Sequence, residues 1–323
     1  MFSASVNVQA GDPYYELVWF PCQISPLISI LISGIATITV VFLSVIFKLY
    51  KRPLSLMVLA ISIAHVLFYF SKLSVLVFQP QSDLHCRILS ILCVFGINSA
   101  VIWGALFAHA FYITLKYQNI NEVSRMMKYY LIGAVLLPIF SGILSFLTNH
   151  LFYSPTEGTC VHRIYPNRFD VSDNICVLFP VWVACIASII WYKMAINKIS
   201  ELQWTQTGSE LYLLMIYPGI LVFCWAPTLV TQTAMQFGAT PSQTLNNILI
   251  FITNMQGLFD ALVYGRSVRE ELRDSFKKLF GKQTPQEEQL FIEPHILEEK
   301  SDRSSGAYLT MSIRSEGSRN LNR

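Results

Sequence analysis

Residues 25–47 read SPLISILISGIATITVVFLSVIF, a run of 23 residues without a charge, and Lys48, Lys51 and Arg52 follow it at once. A helix needs about 20 mostly apolar residues to cross the hydrocarbon core of a bilayer. The run therefore predicts a membrane-spanning helix. Because no basic segment precedes it and no small-residue cleavage pattern ends it, we expect a retained span, not a signal peptide.

Six more apolar runs occur along the chain, at 54–78, 88–115, 129–148, 175–192, 211–235 and 245–264. Of the 323 residues, 53% are hydrophobic and 13% are charged, whereas an ordinary soluble domain carries about a quarter charged residues. The mean hydropathy is +0.47, and the net charge of +3 is too small to indicate nucleic-acid binding. The sequence predicts an all-α integral membrane protein with a seven-transmembrane helix bundle.

Lys and Arg residues near the span ends predict the orientation, because they remain preferentially on the cytoplasmic side. Thirteen such residues lie on one side of the predicted spans and four on the other. The N-terminus is therefore expected outside and the C-terminus inside. The cytoplasmic set is Lys48, Lys51, Arg52, Lys116, Arg125, Lys128, Lys193, Lys198, Arg266, Arg269, Arg273, Lys277 and Lys278, and the outer set is Lys72, Arg87, Arg163 and Arg168.

The predicted spans divide the chain into four parts. Residues 1–24 form a short extracellular segment, and 25–266 form the seven-helix domain. Residues 267–281 have apolar side chains on one helical stripe and Arg and Lys around it, which predicts a short amphipathic eighth helix on the inner membrane surface. The tail, 282–323, is polar and Ser-rich without an apolar period, and we expect it to be disordered.

The predicted topology sorts the cysteines. Cys86 and Cys160 lie on the outer side, in an oxidising compartment where a disulfide persists, and we expect them to bond each other. The alternative is a pair of free thiols on loops. Cys22 and Cys176 are candidates for a second bridge, and the sequence leaves their pairing open.

Few ionisable residues lie at membrane depth, where they are costly and so are functional candidates. His65 lies near the middle of the second span and Asp260 toward the inner end of the seventh, and we expect them to interact. Two interpretations remain open: the pair acts as an activation switch, or each residue bonds a neighbouring helix as packing.

The sixth span contains Pro218 and the stretch CWAP at 224–227. Proline removes a backbone hydrogen bond and kinks a helix, so this span is expected to contain a hinge. A bulky side chain at Trp225 can couple the occupancy of a pocket to movement of the inner half of the helix. A kinked helix that only packs is the alternative.

These features resemble the G-protein-coupled receptor superfamily over residues 25–280. Within it the chain is most similar to the cyclic-AMP-receptor-like family, which is related to the secretin-like branch. The stretches KRPL at 51–54, YP at 217–218 with WAP at 225–227, and QGLFDALVYG at 256–265 carry this similarity. The resemblance implies a ligand-activated receptor that promotes nucleotide exchange on a heterotrimeric G protein, with a link to cyclic AMP.

The chain departs from the superfamily pattern at several positions. The rhodopsin-like branch has an acidic residue, Arg and Tyr where this chain reads Ala110-Phe111-Tyr112, and the neighbouring His109 is either part of a replacement network or simply buried. Because about 24 residues precede the first span, we expect no capture of a long peptide by an outer domain. The predicted activation switch comprises Trp225, Pro227, Pro218, Asp260, Tyr264, His65 and His109.

Four outer cations are candidates for the mouth of a ligand pocket, since an anionic ligand such as a cyclic nucleotide requires positive charge. The alternative is ordinary solvated loop charges balanced by nearby acids. The ligand itself is expected to be an extracellular small molecule or short peptide. The four cations are Lys72, Arg87, Arg163 and Arg168.

The inner face is expected to bind a heterotrimeric G protein and anionic lipid. Serines in the tail are candidate phosphorylation sites for a kinase, with an arrestin-like adaptor as the reader. We expect a multi-pass protein of the plasma membrane. The residues expected to face the G protein or lipid are Lys51, Arg52, Lys116, Lys198, Arg269, Arg273 and Lys277.

Other classes fit the sequence less well. A retinal protein needs a Schiff-base Lys in its seventh span, and 245–264 has none. A seven-helix transporter or an accessory membrane protein without G-protein coupling remains the alternative. No catalysis, cofactor or metal is expected, although a zinc site at His85, His150 or His162 stays open.

Overall fold

The computed structural model describes residues 5–7, 14–17, 24–78, 82–117, 121–148, 152–154, 159–164, 174–201, 208–239, 242–269 and 272–273. Seven α-helical segments run through this part of the chain, together with a 3-10 turn at Leu49–Lys51 and a π-helical turn at Asn174–Leu178. The seventh is interrupted at Met255 and consists of two short helices. The helices are α1 (Ile24–Ile46), α2 (Pro53–Phe78), α3 (Asp83–Tyr117), α4 (Asn121–Leu147), α5 (Phe179–Glu201), α6 (Gly208–Gln236), α7 (Gln243–Asn254) and α8 (Gln256–Ser267).

Six segments in the described part of the chain are long and apolar enough to cross a bilayer. α6, which is not among these six, is 29 residues long. Large apolar side chains such as Ile35, Phe140 and Phe223 are exposed on the outside of the bundle, as expected where helices contact lipid. The helices have the features of a multi-pass membrane protein.

The helices begin and end close to the predicted spans, with three differences. α3 begins at Asp83 and α4 at Asn121, both earlier than predicted, and α5 continues to Glu201. These additions carry charged residues. An apolar run marks only the part of a helix inside the hydrocarbon, whereas the backbone hydrogen bonds continue into the aqueous region.

α3 is the central helix of the bundle, and its close packing against α2 depends on a glycine. A Cβ atom at Gly96 would lie 2.8 Å from the backbone nitrogen of Phe68. Only a residue without a side chain lets the two backbones approach this closely. Buried side chains of α2, α3 and α6 then form one core toward one end of the bundle and a second core toward the other.

Four short strands lie outside the helices, which the prediction of an all-α chain did not include. β1 (Ser5–Asn7), β2 (Tyr14–Leu17), β3 (Phe152–Ser154) and β4 (Thr159–Ile164) form an antiparallel sheet in the order β1-β2-β4-β3. β2 pairs with β4, so the segment before α1 contacts the loop between α4 and α5. Strands of three to six residues are too short for alternating hydrophobicity to predict them.

The predicted disulfide between Cys86 and Cys160 is present in the structure. It joins the first turn of α3 to β4, and both cysteines are buried beside Val75 and Leu89. We call this the disulfide end of the bundle, which the basic residues predict to face outside. The candidate second bridge between Cys22 and Cys176 involves Cys22, which lies outside the described residues.

The predicted surface helix at 267–281 is described at five positions. The backbone N–H of Leu272 donates to the carbonyl of Val268 at 2.9 Å, as in a helical turn. Both side chains pack on the core at the end opposite the disulfide. The rest of this segment, and the tail predicted to be disordered, lie outside the described residues.

Candidate functional site

A cavity lies between α2, α3, α6 and α7 in the half of the bundle nearer the disulfide end. Its free volume is about 50 Å³, enough for about four water molecules. Most of its wall is apolar, and no Asp or Glu lines it. The lining residues are Phe68, Lys72, Ile97, Val177, Trp225, Thr228, Gln232, Asn246, Ile250, Thr253 and Asn254.

Lys72 is the cation of this cavity. Its side chain is buried, its Nζ donates to Asn254 Oδ1 at 2.9 Å, and the ammonium lies 4.3 Å from the centroid of the Phe68 ring. The ring face supplies a cation–π contact. Among the described residues, no carboxylate forms a salt bridge with Lys72. The charge therefore depends on one amide oxygen and one aromatic ring.

Trp225 connects the cavity wall to the polar core below it. Its ring lines the cavity, and its Nε1–H donates to Gln256 Oε1 at 2.6 Å. The Gln256 side chain also lies within interaction range of the His65 and Asp260 side chains. One glutamine thus joins the hinge tryptophan of α6 to the ionisable pair.

His65 and Asp260 lie together, as the sequence predicted. His65 Nδ1 is 3.8 Å from Asp260 Oδ2, and both side chains are buried. This distance is longer than a hydrogen bond. The His65 ring also stacks on Tyr69 with the ring centroids 5.8 Å apart. The geometry brings the two residues into one buried cluster, and it leaves the choice between switch and packing untested.

The break in the seventh segment is held by a phenol from α2. Tyr69 Oη donates to the carbonyl of Asn254 at 2.7 Å and accepts from the backbone N–H of Gly257 at 3.1 Å. These backbone groups lack ordinary partners because the helix stops and restarts at Met255. The sequence predicted one continuous span here. Because Tyr69 bonds both of these backbone groups, the segment can stop at Asn254 and restart at Gln256, and two helices are observed.

The prolines lie within α6, as expected, and contacts to α7 and α8 lie near them. Thr253 Oγ1 donates to the carbonyl of Cys224 at 3.0 Å, three residues before Pro227. Tyr217, the neighbour of Pro218, donates from its Oη to the carbonyl of Asp260 at 3.2 Å. Hydrogen bonds therefore link α6 to the seventh segment near each of its two prolines.

Tyr264 is buried one helical turn beyond Asp260, and its Oη accepts from Ser44 Oγ at 3.1 Å. This bond joins α8 to α1. His109 lies in a different part of the bundle: its Nδ1 is 2.8 Å from Tyr130 Oη, and its ring packs on Trp191 with centroids 4.7 Å apart. His109 therefore links α3 to α4 and α5, and is not brought into the Trp225 cluster.

The four cations proposed for the pocket mouth do not share one site. Lys72 is a buried cavity residue, which contradicts the alternative of a solvated loop charge at this position. Arg87 does not line the cavity, and it lies beside the Phe146 ring of α4. Arg163 is in β4, and its side chain and Arg168 lie outside the described residues.

Most of the predicted G-protein and lipid-facing residues that the structure describes are exposed. Lys51, Arg52, Lys116, Arg269 and Arg273 are exposed, and Lys198 is half-buried. Lys277 lies outside the described residues, as do the side chains of His150 and His162 that a zinc site requires.

Three site residues were missed by the sequence analysis: Asn254, Gln256 and Tyr69. The signal for the first two was available, because TNMQ at 253–256 is a polar interruption in an otherwise apolar run. Such an interruption in a membrane helix indicates a partner on another helix. Tyr69 carried no such signal, since aromatic residues are common in spans.

A family model described as "G protein-coupled glucose receptor regulating Gpa2 C-term" matches residues 203–272. The match covers α6, α7 and α8, which carry Trp225, Gln256 and Asp260. It supports a protein similar to G-protein-coupled receptors, and it gives no support for the cyclic-AMP-receptor-like or secretin-like placement. No curated protein matches the chain at a significant level.

Proposed function

We propose that this chain is a ligand-activated G-protein-coupled receptor of the plasma membrane, with its disulfide end outside. The observation that carries the proposal is the hydrogen bond from Trp225 Nε1 to Gln256 Oε1, 2.6 Å long. Trp225 lines the cavity and lies on α6, the helix that contains both prolines. Gln256 lies beside the buried pair of His65 and Asp260, so the bond connects the cavity wall to this pair. Catalysis is no part of the proposal.

The mechanism begins at the cavity. A ligand that contacts the Trp225 ring changes the position of the indole, and Gln256 follows because it accepts the indole N–H. The contacts of Gln256 with His65 and Asp260 then rearrange, and α6 moves relative to α8 at its bond from Tyr217. A ligand shifts such an equilibrium only by its difference in affinity for the two arrangements.

The G-protein partner is proposed to bind at the end opposite the disulfide, where Lys51, Lys116 and Arg269 are exposed. The matched family's description names Gpa2, so a Gα subunit of that kind is the first to try. A link to cyclic AMP, and regulation of the tail by a kinase and an arrestin-like adaptor, extend the proposal and rest on the sequence alone.

The test is nucleotide exchange on a panel of heterotrimeric G proteins with the purified chain in lipid nanodiscs, without ligand and with glucose or cyclic AMP. We expect exchange that requires the chain. Trp225→Phe, which keeps the ring and removes the N–H, should change the exchange rate about fivefold or more, a typical coupling energy between sites. Asp260→Asn and His65→Ala should also change it.

The matched control is Trp182→Phe. Trp182 donates its indole N–H to Thr233 Oγ1 at 3.2 Å, between α5 and α6, so this variant loses an equivalent bond outside the Gln256 cluster. Equal exchange by both Trp variants and wild type, with equal amounts of chain in the nanodiscs, would refute the proposed switch. No exchange with any G protein would favour the transporter or accessory protein, and substrate-flux assays would follow.

A further inference from the structure

The cavity contains an uncompensated positive charge. Lys72 is buried, and Asn254 Oδ1 accepts one of its three N–H bonds. No acidic side chain lines the cavity, and none of the described residues supplies a carboxylate to the ammonium. A charge at this depth is costly unless it is paired, so the cavity favours an anion.

A second donor points to the same ligand. Asn254 Nδ2 is buried and has no hydrogen-bond partner. Its orientation is fixed, because Lys72 can only donate and so must face the Oδ1 atom. The free N–H₂ group and the remaining ammonium hydrogens therefore belong to one pair of residues on the cavity wall. Together they match the two oxygens of a carboxylate.

The rest of the wall limits the size and polarity of the ligand. The wall combines apolar surface from Phe68, Ile97, Val177 and Ile250 with the polar side chains of Gln232 and Asn246, around a free volume of about 50 Å³. The hydroxyls of Thr228 and Thr253 already bond each other at 2.8 Å. A cavity that holds about four waters suits an anion of a few heavy atoms.

We propose that the cavity binds a short-chain monocarboxylate, with its carboxylate on Lys72 and Asn254 and its alkyl group against Phe68 and Ile97. The inference rests on the proposed function in one respect: it names the ligand class of the same site. Charge-assisted bonds from a buried ammonium give the affinity, and the apolar wall selects a carboxylate with an alkyl body over a hydrated inorganic ion.

The test is the thermal unfolding midpoint of the full chain in nanodiscs, titrated with sodium propionate and, as a matched neutral compound, propionamide. A ligand that binds the folded state raises the midpoint in proportion to its occupancy. Propionate should raise the midpoint and propionamide should not. Sodium chloride at equal ionic strength gives the baseline, and glucose is the comparison ligand.

Two variants locate the binding. Lys72→Met keeps the length of the side chain and removes the charge, and propionate affinity should fall about 10- to 100-fold, as for the loss of a charge-assisted bond. Lys193→Met, at an exposed position on α5, should leave the affinity unchanged. If Lys72→Met fails to fold, the propionate and propionamide comparison on the unmodified chain still decides.

Each outcome has one meaning for the proposal. Equal effects of propionate and propionamide, no effect of either, or equal stabilisation by chloride would overturn the carboxylate site. Nucleotide exchange in the same nanodiscs separates the two ideas. If exchange occurs and propionate does not bind, the proposed receptor function stands and the proposed ligand class is wrong. If propionate binds and no exchange occurs, the carboxylate site stands and the proposed receptor function is wrong.

Discussion

Replacing Gly257 by Ala should lower the free energy of unfolding by about 3 kcal/mol, because the fold has no room for a Cβ atom there. The new atom would lie 2.7 Å from Tyr69 Oη, 2.8 Å from Thr37 Cγ2 and 2.9 Å from Tyr69 Cε2. Two helices, α1 and α2, would therefore have to move away from α8. The displaced group would be the Tyr69 hydroxyl, which hydrogen-bonds the backbone on both sides of the break at Met255.

The magnitude follows from three terms. Overpacking a well-packed core costs about 1–3 kcal/mol. Displacing Tyr69 leaves the N–H of Gly257 without its 3.1 Å acceptor, and an unsatisfied buried group costs about 1–3 kcal/mol. The higher helix propensity of Ala offsets about 1 kcal/mol. The middle of the resulting range is about 3 kcal/mol.

The assay is equilibrium unfolding in mixed detergent micelles, followed by far-UV circular dichroism. Gly265→Ala is the matched control, since it lies in the same helix and has nothing within 4 Å of its added Cβ. It should be neutral or stabilise by up to about 1 kcal/mol. In a Tyr69→Phe background the cost of Gly257→Ala should fall, because the closest contact is gone. Equal effects of the two Gly→Ala changes would refute the reasoning.

Three further predictions concern stability in the same assay. Cys86→Ser should cost about 2–5 kcal/mol, and a reductant that destabilises wild type should have no added effect on this variant. Gly96→Ala, whose Cβ would lie 2.8 Å from the Phe68 nitrogen, should cost about 1–3 kcal/mol, whereas Gly133→Ala, with nothing within 4 Å, should not destabilise. Tyr130→Phe removes the 2.8 Å bond to His109 and should cost about 1 kcal/mol, with changed nucleotide exchange only if His109 belongs to the switch.

Much of the bundle could be predicted from the sequence because lipid imposes a simple rule. Each span had to be apolar over its crossing length, and this placed all seven segments. The rarity of charges in hydrocarbon singled out His65 and Asp260, and the structure brings them within 3.8 Å. The pairing of Cys86 with Cys160 followed from the side of the membrane on which each was expected.

The sequence could not predict which side of α2 the Lys72 side chain would face. α2 carries apolar residues on nearly all of its faces, so helical periodicity gave no indication of which side faces the core. The position of Lys72 near the outer end of a span fitted a pocket mouth as well as a core cavity. Its burial depends on the contact with Asn254, a residue 182 positions away in sequence, and no local pattern records such a contact.

The interruption at Met255 explains how one helical segment serves both the cavity and the ionisable pair. Asn254 bonds Lys72 on α2, whereas Gln256 bonds Trp225 on α6. Asn254 ends α7 and Gln256 begins α8, so the two polar side chains reach different neighbours. Tyr69 holds the backbone between them with two hydrogen bonds that a continuous helix would make internally. An anion bound to Lys72 as proposed would therefore act on a segment whose backbone at the break depends on hydrogen bonds from Tyr69.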